Sequence, residues 1–354
     1  MNMIKKLSAI LLVFVMVLSF AACHPKDEVA LTIEDVEITS ALYMCALMNA
    51  DSEARTLVDE KHTDDKEDAE IDYFKEKIDD KKYSDWVKER AIEICKEFAA
   101  YEILCEKNNL SLTEDEQKEI TSTVDYYWSA YGYQALYEVN GVSKTTFANT
   151  VKTAYLTNKY FLSIYGEDGT KPVAADDITK ALEENFLIAN VLSVKYASIE
   201  ESQVAGTTVK FGDYAKKLEK GTPFKEIYND YYQITETEEK EEEKNDAPAP
   251  KDAYASVLGS EKTDYASEYF EEAKKLKVGE VKLITNDEGV AIIVRGDLFG
   301  DEYWTENLNT PALTLLKGEE FDKDMAAYIK GLKVEKNNYA VNRFKVNKIV
   351  YPTY

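Results

Sequence analysis

Two short apolar runs decide the fold: IANVLSV at residues 188–194 and GVAIIV at residues 289–294. Both have the length of β-strands and are rich in β-branched residues, which favours strands over helices. Between them lie two amphipathic helical patterns, an acidic insertion and the turn sequence LKVGEV at residues 276–281. The sequence on either side has helical periodicity. We therefore predict an α+β fold, a mostly helical domain formed by the N- and C-terminal segments with a small α+β domain inserted.

The composition limits the classes of function. Of the 354 residues 45% are hydrophobic, so we expect folded domains rather than a disordered chain. The 43 basic and 67 acidic residues give a net charge of −24. Phosphate binding requires a basic face, so this charge argues against nucleic acid as a partner. An acidic surface suits basic or unfolded cationic partners, and it also keeps a protein soluble.

The N-terminus has the pattern of an export signal. Lys5 and Lys6 precede an uncharged run at residues 7–20, which is short for a membrane span. The run ends in Phe-Ala-Ala-Cys at residues 20–23, which resembles a bacterial lipobox. This resemblance implies a signal peptide at residues 1–22, lipidation of Cys23 and a tether at residues 23–28, on the outer face of the cell membrane. An ordinary secretory signal and an uncleaved anchor remain alternatives.

Neither cofactors nor metals are predicted. The remaining cysteines are Cys45, Cys95 and Cys105, an odd number that cannot pair fully within the chain. Cys95 and Cys105 share one predicted helix, about 15 Å apart, which is too far for a disulfide. We expect buried free thiols. The sequence has two histidines and no Cys-x-x-Cys motif, so it predicts no zinc site.

The helical part shows several start signals. Thr39 is a predicted cap for a helix that follows a strand and turn at residues 29–38. The segment 51–80 is highly charged and predicts a mobile loop or a solvated helix. From Tyr83 to Cys105, apolar residues recur at helical spacing, and Thr113 begins a capping box with Glu116. Ser143 is the predicted cap of the next helix.

Aromatic residues crowd the end of the helix that follows the capping box. Tyr126, Trp128 and Tyr133 are the predicted contacts for unfolded apolar segments, because rings bind such segments at low entropic cost. Tyr127 and Tyr131 continue the apolar stripe of Ile120 and Val124, and we predict that they lie in the core.

The inserted domain has its own pattern. We predict a strand at residues 191–196, helices at 214–220 and 223–232, a helix at 265–276, and a hairpin of strands at 281–285 and 290–295. The segment 235–252, TETEEKEEEKNDAPAPKD, is acidic and low in complexity, so we predict that it is disordered.

Several strings resemble the SurA/PrsA-like foldases, extracytoplasmic chaperones with a parvulin-type peptidyl-prolyl isomerase domain. LTIEDVEIT at residues 31–39 is similar to the opening strand and turn of that family. FGDYAKKLEKGTPFKEIYNDY at 211–231 is similar to the parvulin helix pair, and GVAIIVRGD at 289–297 to its last strand. GEEFDKDMAAYIKGLKVEKNNYAVNRF at 318–344 resembles the C-terminal helix that packs back on the N-terminal domain.

The resemblance implies a domain plan and a function. It implies a SurA-N-like chaperone domain at residues 29–187, a parvulin-like domain at 188–297 with the acidic insertion at 235–252, and a C-terminal segment at 298–354. The function implied is a membrane-anchored chaperone that binds unfolded or newly translocated polypeptides. A surface lipoprotein that uses the same scaffold to bind one specific envelope partner is the alternative.

The departures from the family pattern concern catalysis. Active parvulins carry a histidine on the first strand and another on the last; here the corresponding positions are Asn190 and Ala291. The two histidines of the chain, His24 and His62, lie outside the predicted parvulin-like domain. We therefore expect the catalytic site to be degenerate and isomerase activity to be weak or lost.

Overall fold

The computed structural model describes residues 28–62, 71–234 and 249–352. The chain forms two compact units. The first unit contains the described residues up to Phe161 together with those from Lys323 onward, and the second unit is Leu162–Asp322. The predicted signal peptide, the predicted lipidation site Cys23 and most of the predicted disordered insertion lie outside the described residues.

The fold is α+β, as predicted, with helices and small antiparallel sheets. In chain order the helices are α1 (Ser40–Lys61), α2 (Tyr83–Lys107), α3 (Glu114–Ala130), α4 (Tyr133–Val139), α5 (Lys144–Tyr165), α6 (Ala175–Asn185), α7 (Glu201–Glu219), α8 (Phe224–Tyr232), α9 (Phe270–Lys274), α10 (Glu302–Gly331) and α11 (Asn338–Arg343). The strands are β1 (Val29–Ile33), β2 (Val36–Thr39), β3 (Lys77–Ile78), β4 (Lys81–Lys82), β5 (Phe186–Lys195), β6 (Ala255–Gly259), β7 (Val281–Thr285), β8 (Gly289–Arg295) and β9 (Val334–Lys336). Helices α5 and α10 each contribute residues to both units.

The sheet of the first unit joins the two ends of the chain. Its order is β2-β1-β9, so β1 pairs on one side with the next strand and on the other with a strand from the C-terminal segment. Leu31 lies opposite Lys336, and Ile33 lies opposite Val334. The segment 318–344, which resembles a C-terminal helix, is therefore partly a strand at Val334–Lys336, because that strand pairs with the edge of β1.

Helices α1 and α2 form much of the core of the first unit. Thr39 caps α1, its hydroxyl accepting from the Leu42 N–H at 3.2 Å, as predicted. Of the two alternatives predicted for residues 51–80, a mobile loop and a solvated helix, the first part is helical, because α1 continues to Lys61. One face of it is buried, at Ala54 and Val58. The charges of this segment occupy the outer face of the helix, and apolar residues at helical spacing occupy the inner one.

A buried carboxylate lies between these helices. The side chain of Asp51 has no exposed surface and accepts hydrogen bonds from Arg55 Nε at 2.9 Å, Tyr83 Oη at 2.8 Å and Tyr351 Oη at 2.6 Å. A buried charge is tolerated only when it is paired and hydrogen-bonded, and here three donors surround it. The network ties the C-terminal tail to α1.

The sheet of the second unit has the order β6-β5-β8-β7, with every neighbouring pair antiparallel. Successive residues of a strand point to opposite faces. One face of β5 and β8 packs Leu192 and Ile292 against Phe211 and Ile227 of α7 and α8. The other face packs against α9. Both faces are covered, which explains why the two strands are nearly continuous apolar runs.

Element lengths in the second unit differ from the predicted ones. Strand β5 has ten residues, and α7 begins at Glu201 rather than near Tyr214. The predicted helix at 265–276 is a short one, Phe270–Lys274. A local pattern marks the start of α7, because Glu200 and Gln203 form a reciprocal capping box. Gly221, at φ +91°, follows the end of α7.

Candidate functional site

The two positions predicted to be degenerate catalytic residues do not share a site. Asn190 lies opposite Val294 of β8, and Ala291 lies opposite Ser193 of β5. Because Asn190 and Ser193 are three residues apart on one strand, they point to opposite faces of the sheet. The structure therefore does not bring Asn190 and Ala291 together on one face of this sheet.

Asn190 has a structural partner. It is buried, and its Nδ2 donates to Asp252 Oδ2 at 2.9 Å, while Asp252 Oδ1 accepts from the Tyr254 N–H at 3.0 Å. The phenol of Tyr254 in turn donates to Asn229 Oδ1 at 3.3 Å, on α8. These bonds fix the chain where it leaves the acidic insertion, and they use the polar groups of Asn190 and Asp252.

The opposite face offers little space at Ala291. This residue is buried, and the recess beside it has a volume of ≈ 40 Å³, lined in part by Val194 and Ile284. Ligand pockets typically measure hundreds of cubic ångströms, so this recess is too small for a peptide. The sheet is thus filled by side chains at both predicted positions.

Exposed and half-buried tyrosines cluster at the surface of the first unit. We define the tyrosine patch as Tyr126, Tyr127, Tyr131 and Tyr133. The side chains of Tyr126 and Tyr131 are 56% and 58% exposed, with ring centroids 5.4 Å apart. Tyr127 lies 5.5 Å from Tyr131 and stacks on Tyr133 at 5.7 Å with an interplanar angle of 20°. Ring contacts of this kind hold the rings together at the surface, where they can pack against a ligand.

The local sequence explains why these rings face outward. Ile120, Val124 and Trp128 recur every four residues along α3, and all three are buried. Trp128 is only 5% exposed and packs on Tyr137 and Phe147, with ring centroids 6.2 and 5.8 Å away. Burying this face leaves the residues beside it exposed. The predicted faces are therefore wrong at the end of α3, where Tyr127 and Tyr131 are at the surface and Trp128 is in the core.

The turn after α3 completes the patch. Gly132 adopts φ +69°, a left-handed conformation that glycine reaches without a steric cost, and the chain turns directly into α4. The turn brings Tyr133 back against Tyr127. At the other end, Thr113 and Glu116 form the predicted capping box, and Lys159 pairs with Glu116 at 2.8 Å. These contacts hold α3 in place.

The chemistry of the patch is apolar with polar tips. The hydroxyls of Tyr126 and Tyr131 lie 3.4 Å apart, and this hydrogen bond raises the pKa of Tyr126. Tyrosine phenols, with an ordinary pKa of about 10, are neutral at physiological pH. The nearby Asp125 pairs with Lys144 at 2.5 Å. Neutral phenols on an exposed surface can bury their rings against apolar side chains while their hydroxyls remain in water.

A groove lies along the same helix. Its volume is ≈ 800 Å³, and it is lined by parts of α2, α3 and α5, including Ile120, Leu110 and Leu156. Cys105 is at its floor, buried, with the thiol 3.5 Å from the Leu156 carbonyl oxygen, and burial raises the pKa of this thiol. A protonated thiol behaves as a small apolar group rather than a nucleophile.

The predicted contact residues divide between surface and core. Tyr126 and Tyr133 belong to the patch, Trp128 does not, and the predicted contact set lacked Tyr127 and Tyr131. Cys45, Cys95 and Cys105 are free and buried, as predicted. Across residues 28–62, 71–234 and 249–352, we find no group of three potential ligands that could hold a metal ion. Nor does any helix in those ranges have the length and apolar character needed to cross a bilayer.

Comparisons with known proteins give one kind of match. No family model matches the chain, and no curated protein does. Among solved structures, the chain is similar to PrsA foldases. The crystal structure of PrsA from Bacillus subtilis is 17% identical, with 92% of each chain covered and a TM-score of 0.32. For PrsA from Lactococcus lactis the identity is 16%, the coverage 88% of this chain and 96% of that one, and the TM-score 0.37. The foldase PrsA from Streptococcus pneumoniae is 14% identical over 66% of this chain and 77% of that one, with a TM-score of 0.36. Values this low leave function to be argued from the residues themselves.

Proposed function

We propose that this protein is a membrane-anchored extracytoplasmic chaperone that binds unfolded polypeptides at the tyrosine patch. The observation that carries the proposal is the set of tyrosine rings that α3 and the Gly132 turn display at the surface. Contiguous exposed apolar surface on a soluble domain commonly marks an interaction site. Tyrosine suits a surface that binds many sequences, because it offers large contact area with only two rotatable side-chain bonds.

The free energy of binding at the tyrosine patch can be estimated from the exposed area of its rings. Tyr126 and Tyr131 each expose on the order of 100 Å² of side chain, given the usual area of an aromatic residue. Burial of that area contributes up to about 2.5 kcal/mol for each ring. Ordering a bound segment offsets part of this, so we expect weak, micromolar binding of individual segments. Weak binding with fast release suits a chaperone.

The second unit is proposed to lack prolyl isomerase activity. Its sequence, residues 162–322, contains no histidine. Asn190 is held by Asp252, and Ala291 faces the other side of the sheet. A protease-coupled assay on a proline peptide should show only the uncatalysed rate, which is tens to hundreds of seconds per event. Acceleration well above that rate would refute this part of the proposal.

The chaperone activity is tested by aggregation of unfolded substrates. The protein should suppress aggregation of two unrelated, chemically denatured proteins as measured by light scattering. The double variant Tyr126→Ser, Tyr131→Ser should bind a permanently unfolded, reduced protein at least about tenfold more weakly, because two exposed rings are lost. The matched control is Tyr339→Ser, which removes another exposed tyrosine of the first unit.

Two outcomes would contradict the proposal. Equal loss in the Tyr339→Ser control would mean that the patch has no special role. Tight capture of one folded protein, without suppression of aggregation, would instead support an interaction protein with a single partner. Anchoring is tested separately: Cys23→Ala should move the protein from the membrane fraction to the soluble fraction, and unchanged fractionation would refute lipidation at this residue.

A further inference from the structure

A second concave surface lies entirely within the second unit. It is a groove of ≈ 650 Å³ between α6, the loop before α10 and the first turns of α10. Its apolar lining includes Val173, Ile178, Leu182 and Phe299. The volume is in the range of ligand pockets, which is room for a few side chains. Leu182 belongs to the core cluster beneath, and Ile178 packs against that cluster, so the floor of the groove is fixed.

Phe299 is displayed at this groove by a rigid loop. Its side chain is 49% exposed. Its backbone N–H donates to Asp297 Oδ1 at 3.1 Å, and Lys251 Nζ donates to the Gly300 carbonyl at 2.8 Å. The Lys251 N–H also donates to Asp301 Oδ2 at 2.7 Å. A Cβ at Gly300 would lie 2.7 Å from Asp297 Oδ2, so the Asp297 side chain packs closely against this turn. An exposed ring on a fixed backbone is preorganised for contact.

The rim of the groove is acidic. Glu167, Glu302 and Glu306 line it, and its lining includes no lysine or arginine. Within the part of the chain that the structure describes, none of the three carboxylates forms an ion pair. Other carboxylates of this unit do have partners, as Glu272 has in Lys275 and Lys282. Three uncompensated charges around an apolar floor attract a cation that also carries apolar groups.

We propose that this acid-rimmed groove binds an extended polypeptide segment in which lysine or arginine alternates with aliphatic residues. The aliphatic side chains would pack on Phe299 and Ile178, and the cationic side chains would lie along the three carboxylates. Acidic and phosphorylated ligands are repelled by the same charges. The proposal concerns a different surface from the tyrosine patch and does not depend on the chaperone function.

The test is fluorescence anisotropy with the full-length protein. The probe is a fluorescein-labelled peptide of alternating leucine and lysine, compared with leucine–glutamate and serine–lysine peptides. We expect saturable binding of the leucine–lysine peptide alone. Phe299→Ser should weaken it at least about tenfold, because the exposed ring supplies on the order of 100 Å² of contact. Circular dichroism checks that this surface variant is folded.

Charge is tested with a matched pair of triple variants. We expect about fivefold weaker peptide binding at about 0.01 M ionic strength in the triple variant Glu167→Gln, Glu302→Gln, Glu306→Gln. The difference in affinity from the unmutated protein should shrink at about 0.15 M, because the Debye length falls from roughly 30 to 8 Å. The control Glu201→Gln, Glu219→Gln, Glu288→Gln changes the net charge equally at exposed sites elsewhere in the unit and should bind like the parent.

Specific outcomes overturn the proposal. No saturable binding, equal binding of the leucine–glutamate peptide, or full affinity in Phe299→Ser would each do so. Self-association of the protein that Phe299→Ser abolishes would assign the groove to a second copy of the chain instead. The double variant Tyr126→Ser, Tyr131→Ser should leave the peptide affinity unchanged, and a parallel loss would assign the peptide to the tyrosine patch and overturn the groove proposal.

Discussion

Asp51 is the residue whose replacement should most clearly destabilise the first unit. In Asp51→Asn the side chain keeps its size but loses its charge, and one of its two acceptor oxygens becomes an NH₂ donor. Three donors converge on the native carboxylate: Arg55, Tyr83 and Tyr351. At least one of them therefore loses its acceptor or meets another donor. The variant removes the pairing while leaving the packing of α1 nearly unchanged.

The magnitude follows from the burial of the group. Hydrogen bonds to a charged partner contribute about 1.5–3 kcal/mol each, and breaking a buried ion pair costs about 3–5 kcal/mol. The Arg55 side chain is partly exposed, so water compensates part of its loss. Tyrosine hydroxyls can also turn to accept from the new amide. We expect the free energy of unfolding of the first unit to fall by about 3 kcal/mol.

Urea unfolding measured by tryptophan fluorescence provides the assay. Of the three tryptophans, Trp86 and Trp128 are in the first unit and Trp304 is in the second. A Trp304→Phe background therefore makes the signal specific for the first unit. The matched control is Glu53→Gln, which removes a largely exposed carboxylate paired with Arg90 at 2.8 Å. This control should cost less than about 1 kcal/mol.

One result would refute the reasoning about the buried network. If Asp51→Asn lowers the free energy of unfolding by no more than the Glu53→Gln control, the carboxylate does not organise its three donors. A change in the urea slope rather than the midpoint would point instead to an altered unfolded state.

Three further changes test other parts of the molecule. Burial and a hydrogen bond to Asp51 raise the pKa of Tyr351, so the phenol contributes its full stability below pH ~10 and loses that contribution at higher pH. In Tyr351→Phe, the stability of the first unit, followed by circular dichroism, should therefore fall less steeply with rising pH. Hydrogen bonds from Lys275 and Lys282 lower the pKa of Glu272 to about 2, so this carboxylate stabilises the unmutated protein above pH ~4.3 and stops doing so as the pH falls. Glu272→Gln should remove that stabilisation, and NMR titration of Glu272 in the unmutated protein checks the pKa directly. Leu192→Ala should destabilise the second unit by about 2–5 kcal/mol in urea, because it empties a buried site in β5, and an unchanged midpoint would contradict that packing.

Local signals in the sequence predicted the starts of elements well. The Thr39 cap and the capping box at Thr113 form as expected, because the bonds involved join residues three apart. The face of a helix was harder to predict. From Val124, both Tyr127 and Trp128 lie within the width of one apolar stripe. Trp128 is the buried one of the two because it packs against Tyr137 and Phe147 on other helices. Periodicity within α3 contains no information on those contacts.

The separation of Asn190 and Ala291 on the sheet was hard to predict for a related reason. A likeness between strings assigns positions along the chain, whereas a site depends on the face of the sheet. Moving one residue along a strand exchanges the faces. The register that pairs Ala291 with Ser193, and Asn190 with Val294, is set by long-range strand pairing. The bond from Asn190 to Asp252 spans 62 residues and was equally beyond local sequence patterns.

The pairing of β1 with β9 constrains the order in which the two units can finish folding. A chain synthesised from its N-terminus contains β1 long before β9, and the bond between the Lys333 N–H and Glu34 Oε1 closes a loop between residues 299 positions apart. The second unit is continuous in sequence and lies wholly inside that loop. It can therefore fold while the first unit still lacks its third strand. Until then the edge of β1 has unpaired backbone groups, which makes the unfinished protein itself a potential client for a chaperone.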